Sequence, residues 1–268
     1  MSAALIFVTN DDGVESPGLR AAVEAVLDLG EVIVLAPRRQ QSSMGRSLCG
    51  DQEEGLQPFP YEVRGRTVRA FACEASPALA VMHGLNVLRS RWQPDLLIAG
   101  VNYGENLGLN VTISGTIGAA LEAACAGIPA LAVSLQTELE YHFRYGDLDW
   151  SGAQYFCRLF AARMLRQRLP FDVDVLNVNV PRGATPTTAW RITRLSRHSY
   201  FSARMEAPDL GRPIRDSKIG VYLDPDTLEP DSDIYALVRD QVVSVTPLSL
   251  DLTSRTDFGA LRAVFDEA

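Results

Sequence analysis

The sequence predicts an α/β protein: a mostly parallel sheet flanked by helices, with a β-rich C-terminal extension. Three observations predict it. Short unbroken apolar runs recur at 5–8, 32–36, 96–99 and 130–133, as strands buried on both faces require, and 176–180 is strand-like. Segments with helical apolar spacing lie between several of them. Beyond about residue 182 the texture changes to short strand-like runs separated by polar stretches containing Pro and Gly.

The elements follow in order. Leu5-Ile6-Phe7-Val8 reads as a strand ending in the loop Thr9-Asn10-Asp11-Asp12-Gly13. Leu19, Ala22, Val23, Val26 and Leu27 recur at helical spacing, with Pro17-Gly18 before them and Gly30 marking the helix end. Val32 to Ala36 is the next strand and completes a βαβ unit. Leu96 to Ala99 is a strand followed by a loop over 100–108. A small-residue helix over 117–126 turns at Gly127-Ile128-Pro129 into the strand Ala130 to Ser134. A helix over 149–167 carries Phe156, Phe160 and Met164 on one face, and Leu176 to Val180 is again a strand. We place the core at 1–181 and the extension at 182–268, which is not expected to fold as a domain by itself. The extension contains short strands at 190–193 and 242–246 and a closing helix over 258–265. Its long polar stretch, 202–232, is expected to be an extension or hairpin that packs on another part of the chain or another subunit.

Composition narrows the function. The 268 residues are 47% hydrophobic and 22% charged, enough for a sizeable core. A net charge of −8 argues against a general nucleic-acid partner. The one lysine, Lys218, lies outside any glycine-rich loop, which excludes a Walker-type nucleotide site. Four cysteines without a C-x-x-C pair suit neither a zinc site nor a disulfide framework. No run is long enough to span a membrane, and no basic segment precedes Leu5, so the chain reads as cytoplasmic. No G-x-S-x-G elbow occurs. The histidines are His83, His142 and His198, of which His83 reads as structural and His142 as exposed.

Four segments carry candidate chemistry. Asn10-Asp11-Asp12-Gly13 sets two carboxylates side by side, which suits a hard cation, and it fits an Asx-turn as well. Arg38 to Ser43 offers hydroxyls and two guanidinium groups, or is simply a solvated turn. Gly100 to Asn106 supplies amide oxygens and glycines, or a plain surface turn. Ser114-Gly115-Thr116 opens a helix; it supplies an N-cap and equally a phosphate-facing helix terminus. The first three follow strand ends, which share one edge of a parallel sheet.

At these residues the chain resembles the SurE survival-protein nucleotidases. The resemblance runs through Thr9 to Gly13 with Pro17-Gly18-Leu19, Ala36 to Ser42, Pro94 to Asn106, Ser114 to Ala120, Gly127 to Ser134 and Leu176 to Pro181. It implies a Rossmann-like fold and metal-dependent hydrolysis of nucleoside 5′- and 3′-monophosphates. It implies one divalent ion per subunit, Mg²⁺ or Mn²⁺, on Asp11, Asp12, Ser42 and Asn102. Asp11 and Asp12 would also be catalytic. Asn10, Asn106, Ser114, Gly115 and Thr116 would line the phosphate side. A homodimer or homotetramer built through the extension is expected, with no membrane partner and no stable nucleic-acid partner.

The chain departs from the family pattern at Arg38, Ser43, Leu79 and Asn110. Arg38 is expected to favour more anionic substrates, and Leu79 to remove a contact to base or sugar. These departures leave open a second reading, a nucleotide- or phosphate-binding protein of the same fold with weak or no catalysis. A dinucleotide oxidoreductase is disfavoured, because the first strand leads to Asn-Asp-Asp and not to G-x-G-x-x-G.

Overall fold

The computed structural model describes residues 3–88 and 93–266. β1 (Ala4–Thr9), α1 (Pro17–Val26) and β2 (Gly30–Pro37) form the opening βαβ unit. Three two-residue strands follow, β3 (Gln57–Pro58), β4 (Glu62–Val63) and β5 (Arg66–Thr67), and then β6 (Arg69–Cys73). The middle of the chain holds α2 (Pro77–Leu88), β7 (Leu96–Tyr103), α3 (Gly115–Cys125), β8 (Ala130–Leu135), α4 (Ser151–Met164) and β9 (Val175–Val180). The remainder is β10 (Trp190–Ile192), β11 (Phe201–Arg204), β12 (Lys218–Val221), α5 (Asp233–Val238), β13 (Val243–Leu248) and α6 (Phe258–Asp266).

The nine-stranded sheet runs β10-β13-β9-β8-β7-β1-β2-β6-β3. From β9 to β6 every pairing is parallel, whereas β13 and β3 pair antiparallel with their neighbours in that block. Side chains alternate across each strand. Ile6 and Val8 therefore pack with α1 and α4 on one face, and Phe7 with α2 and α3 on the other. Both faces are covered, which is why these strands are apolar throughout. Each large side chain buried as completely as Phe7 contributes about 1.5–3 kcal/mol.

The chain order reverses between β1 and β7: α1 carries the chain one way to β2, and α2 carries it back to β7 beside β1. Such a switch point opens a crevice at the carboxyl ends of the two strands.

Two expectations need correction. Gly30 opens β2 opposite Ala4, and α1 has already ended at Val26. β7 continues to Tyr103 through an irregular pairing with β8 between Ala99 and Asn102, so Asn102 is a strand residue and not a loop residue. The polar stretch 202–232 holds the expected hairpin, formed by the antiparallel pairing of β11 and β12. Leu107 packs against Tyr200, Leu228, Ile234 and Leu237 beneath it. β13 and β10 extend the main sheet, while α6 buries none of its residues. No helix among the described residues is long and apolar enough to cross a membrane.

Candidate metal centre and active site

β1 delivers Asp11 and Asp12 to the switch point. Both are almost fully buried, at 4% and 1% exposure. Among the described residues, neither forms an ion pair with a basic side chain. Burial pushes the Asp11 carboxyl above its ordinary value, against the Thr116 hydroxyl that favours the charged form. Burial pushes Asp12 up as well, and the neighbouring Asp11 charge adds to it. Two buried carboxylates without a counter-charge are costly, and a cation between them would offset that cost.

The surrounding bonds hold each carboxylate in place. The Thr116 hydroxyl donates to Asp11 Oδ1 at 2.6 Å. Gly115, at the start of α3, lies against the same carboxylate; a Cβ there would come within 2.7 Å of Asp11 Oδ2, so only glycine lets the helix start approach. The Tyr103 amide donates to Asp12 Oδ2 at 3.1 Å, and Gln40 Nε2 to Asp12 Oδ1 at 3.2 Å. The Gln41 amide donates to the Asp11 carbonyl at 2.6 Å, which brings the exposed Ser42 alongside. Asn102 Nδ2 donates to the Gly104 carbonyl at 2.7 Å, leaving its Oδ1 as the atom available to a cation. The predicted ligands Asp11, Asp12, Ser42 and Asn102 therefore gather at one end of the sheet. No group of three or more His, Cys, Asp or Glu side chains that could hold a metal occurs among the described residues. The donor set here is two carboxylates, an amide and a hydroxyl, all through oxygen, which fits a hard divalent ion.

The residues expected on the phosphate side are held by further strands. Asn106 Nδ2 donates to Ser134 Oγ at 2.9 Å, and its amide donates to Asn179 Oδ1 at 2.7 Å. Its carbonyl accepts from Asn177 Nδ2 and Asn179 Nδ2. Ser134 on β8 and the two asparagines of β9 thus fix the Asn106 loop. Ser114 Oγ accepts from the Ile117 amide at 3.1 Å, an N-cap that leaves the first turn of α3 beside Asp11.

Several expectations change at this level. Asn10, expected on the phosphate side, is fully buried; its amide donates to the Gly13 carbonyl at 3.0 Å, pinning the loop, and its Oδ1 has no hydrogen-bond partner among the described residues. Thr116 is also fully buried, and its hydroxyl holds Asp11. His142 is half-buried, with its imidazole edge against Gly104, and its carbonyl accepts from Gln40 Nε2 at 2.7 Å. His83 is exposed on α2. Arg38 is paired with Glu54 at 2.8 Å and Glu74 at 3.1 Å, so two carboxylates already offset its charge. Leu79, in the first turn of α2, packs at the edge of the core.

The sequence reading missed the segment between β8 and α4. There the Tyr145 hydroxyl donates to the Asp12 carbonyl at 2.7 Å, and the Tyr145 ring stacks on Tyr103 with centroids 5.9 Å apart. Nothing in its sequence pattern marks it, because its contacts are made with residues far away in sequence, Asp12 133 residues off.

An oxygen-lined dicarboxylate at the switch point, with a helix start against it, defines an open α/β protein with a candidate anion- and cation-binding centre at its carboxyl edge. A family model described as survival protein SurE matches residues 6–202. A protein of Thermococcus gammatolerans named 5′-nucleotidase SurE is 38% identical over 269 residues, covering 97% of this chain and 95% of its own. One of the same name from Methanocella arvoryzae is 40% identical over 259 residues, covering 93% of each. The crystal structure of the SurE protein from Aquifex aeolicus matches with a TM-score of 0.75 at 29% identity, over 98% of this chain and 100% of its own. The chain belongs to the SurE family.

Proposed function

We propose that this centre hydrolyses nucleoside monophosphates with the help of one divalent ion per subunit, Mg²⁺ or Mn²⁺. As a member of this family the chain is a 5′-nucleotidase, a phosphomonoester hydrolase. The observation that carries the metal reading is the buried, uncompensated pair Asp11 and Asp12 beside the start of α3. Asp11, Asp12, Asn102 Oδ1 and Ser42 would hold the ion. When bound, it would supply an activated water and offset developing negative charge. Thr116 and the Tyr103 amide fix the two carboxylates. The first turn of α3, with Ser114 and Gly115, offers N–H groups to phosphate oxygens, and Asn106 offers its held side chain. Asp11 or Asp12 would orient or deprotonate the attacking water.

The binding-only reading loses its support, because Arg38 and Leu79 are taken up by local packing and pairing away from the ligand set. We further propose that residues 1–181 carry catalysis, that 182–268 serve assembly into a dimer or tetramer, and that the protein works in the cytoplasm. Phosphate release from a panel of nucleotides, with Mn²⁺, with Mg²⁺ and with EDTA, tests the activity. Release that survives EDTA would remove the metal from the reaction.

A further inference from the structure

The segment 107–113 leads into the start of α3, and the C-terminal extension holds it at several points. The Gly108 amide donates to Asp233 Oδ2 at 2.8 Å, across 125 residues. The Leu109 amide donates to the His198 carbonyl at 3.0 Å, and Gly108 forms an antiparallel bridge with Ser199. The Phe201 amide donates to Asn110 Oδ1 at 2.9 Å, and Asn110 Nδ2 donates to the Phe201 carbonyl at 3.0 Å. A carboxylate at 110 could accept the first of these two bonds but would set an oxygen against that carbonyl. Gly108 has φ +50°, and a Cβ there would come within 2.3 Å of the His198 carbonyl oxygen, so glycine is what lets the two segments meet.

These ties reach the helix start through backbone. The Val111 amide donates to the Gly108 carbonyl at 3.3 Å, the Ile113 amide to the Asn110 carbonyl at 3.1 Å, and the Ser114 amide to the Val111 carbonyl at 3.4 Å. Ser114 then caps α3, and Gly115 lies against the Asp11 carboxylate. Hydrogen bonds therefore run without a gap from Asp233 through Gly108 and Val111 to Ser114. A displacement of Gly108 is passed along that chain to the first turn of α3.

Asp233 is the first residue of α5 and is fully buried. It accepts from three backbone amides: Gly108 on Oδ2, and Ser196 at 2.9 Å and Ile234 at 2.8 Å on Oδ1. Burial pushes its carboxyl above the ordinary value, and these bonds oppose that shift. An acid serving only to start α5 would account for the bonds to Oδ1, which stay within the extension. Oδ2 instead crosses to the core.

We propose that Asp233 is a positioning residue of the candidate active site, setting through Gly108 where α3 begins against Asp11. The extension thereby serves the site as well as the assembly proposed for it. The proposal rests on the nucleotidase reading and deepens it.

Asp233→Asn tests it. The amide oxygen of the variant can keep the Ser196 and Ile234 bonds, which turns its NH2 group toward the Gly108 amide and breaks that tie. Isothermal titration of inorganic phosphate into the Mg²⁺-saturated protein should give a Kd roughly tenfold above wild type, the lower end for one hydrogen bond to a charged group. Amide hydrogen exchange over 107–114 should quicken. Trp190→Ala is the control, since Trp190 packs on Phe160 and Arg163, away from this segment. It should lower the melting temperature and leave the phosphate Kd within twofold, because a smaller folded fraction changes the number of sites and not their affinity. A Kd within twofold of wild type in Asp233→Asn overturns the proposal. So does an equal rise in Trp190→Ala, or exchange over 107–114 no faster than in that control. Should Asp233→Asn fail to fold, Asn110→Ala cuts the second tie at a part-buried position. A Kd raised about threefold there, with faster exchange, supports the proposal, and wild-type values overturn it. A wild-type protein that neither binds phosphate nor releases it from nucleotides removes the nucleotidase reading itself, and this proposal with it.

Discussion

Thr116→Val separates two roles that one residue could play. The hydroxyl donates to the buried Asp11 carboxylate at 2.6 Å, and Thr116 itself is fully buried. Valine keeps the shape and removes the donor. A hydrogen bond to a charged group contributes about 1.5–3 kcal/mol, or roughly 10- to 150-fold in an equilibrium constant. That bond favours the ionised form of Asp11, the form that binds a cation. Its loss should therefore weaken Mn²⁺ binding by about 10- to 100-fold, the usual cost of losing a group that orients a metal ligand. Isothermal titration of Mn²⁺ into the metal-free variant at fixed pH measures this directly. Steady-state assays at saturating Mn²⁺ should recover much of kcat, and Thr116→Ser should retain near-wild-type affinity. If Thr116 instead contacts phosphate, Mn²⁺ affinity would stay within twofold while the nucleotide KM rises, and the assignment to Asp11 would be refuted.

Asp11→Asn and Asp12→Asn should each remove most activity while the far-ultraviolet circular dichroism stays native; full activity in both would remove the metal hypothesis. The metal-free protein should lose stability as pH rises above the ordinary carboxyl value of 3.8, because the folded state holds protons on Asp11 and Asp12 that the unfolded state has released. Thermal melts in EDTA across that range should show the decline, and saturating Mn²⁺ should flatten it. Arg38→Asp should leave the preference between mono- and polyphosphorylated substrates unchanged in kcat/KM, since the guanidinium is already paired, and should cost under about 1 kcal/mol in a urea melt. Ending the chain before α6 should lower the mass found by light scattering, because Phe258, Leu261, Val264 and Phe265 form an exposed apolar stripe that a second subunit would cover; a wild-type monomer at micromolar concentration contradicts this.

Much of the parallel core was legible because strands buried on both faces must be apolar. Leu5 to Val8 and Ala130 to Ser134 could hardly be anything else. The ends were less legible. β7 carries Asn102 to the site only by running past Gly100, through an irregular pairing that periodicity does not register. β13 was read as a strand, but its place beside β9 follows from an antiparallel pairing that local pattern does not encode.

The site shows a sharper limit. Residue type announces what a side chain can do, whereas its direction decides what it does. Asn10 and Asp11 are neighbours in one loop, yet one pins Gly13 and the other faces the helix start. Arg38 carries a charge that the sequence places four residues from Ser42, and its guanidinium reaches Glu54 and Glu74 instead. Asn110 looks like the loss of an acid until its amide is seen to use both of its hydrogen-bonding ends on Phe201, 91 residues away. For Asp11, Arg38 and Asn110 the partner is remote in sequence. Those partners make the replacement at 110 a neutral two-way clamp, and they leave the side-chain oxygens of Asp11, Asp12 and Asn102, the proposed ligands, gathered at the switch point.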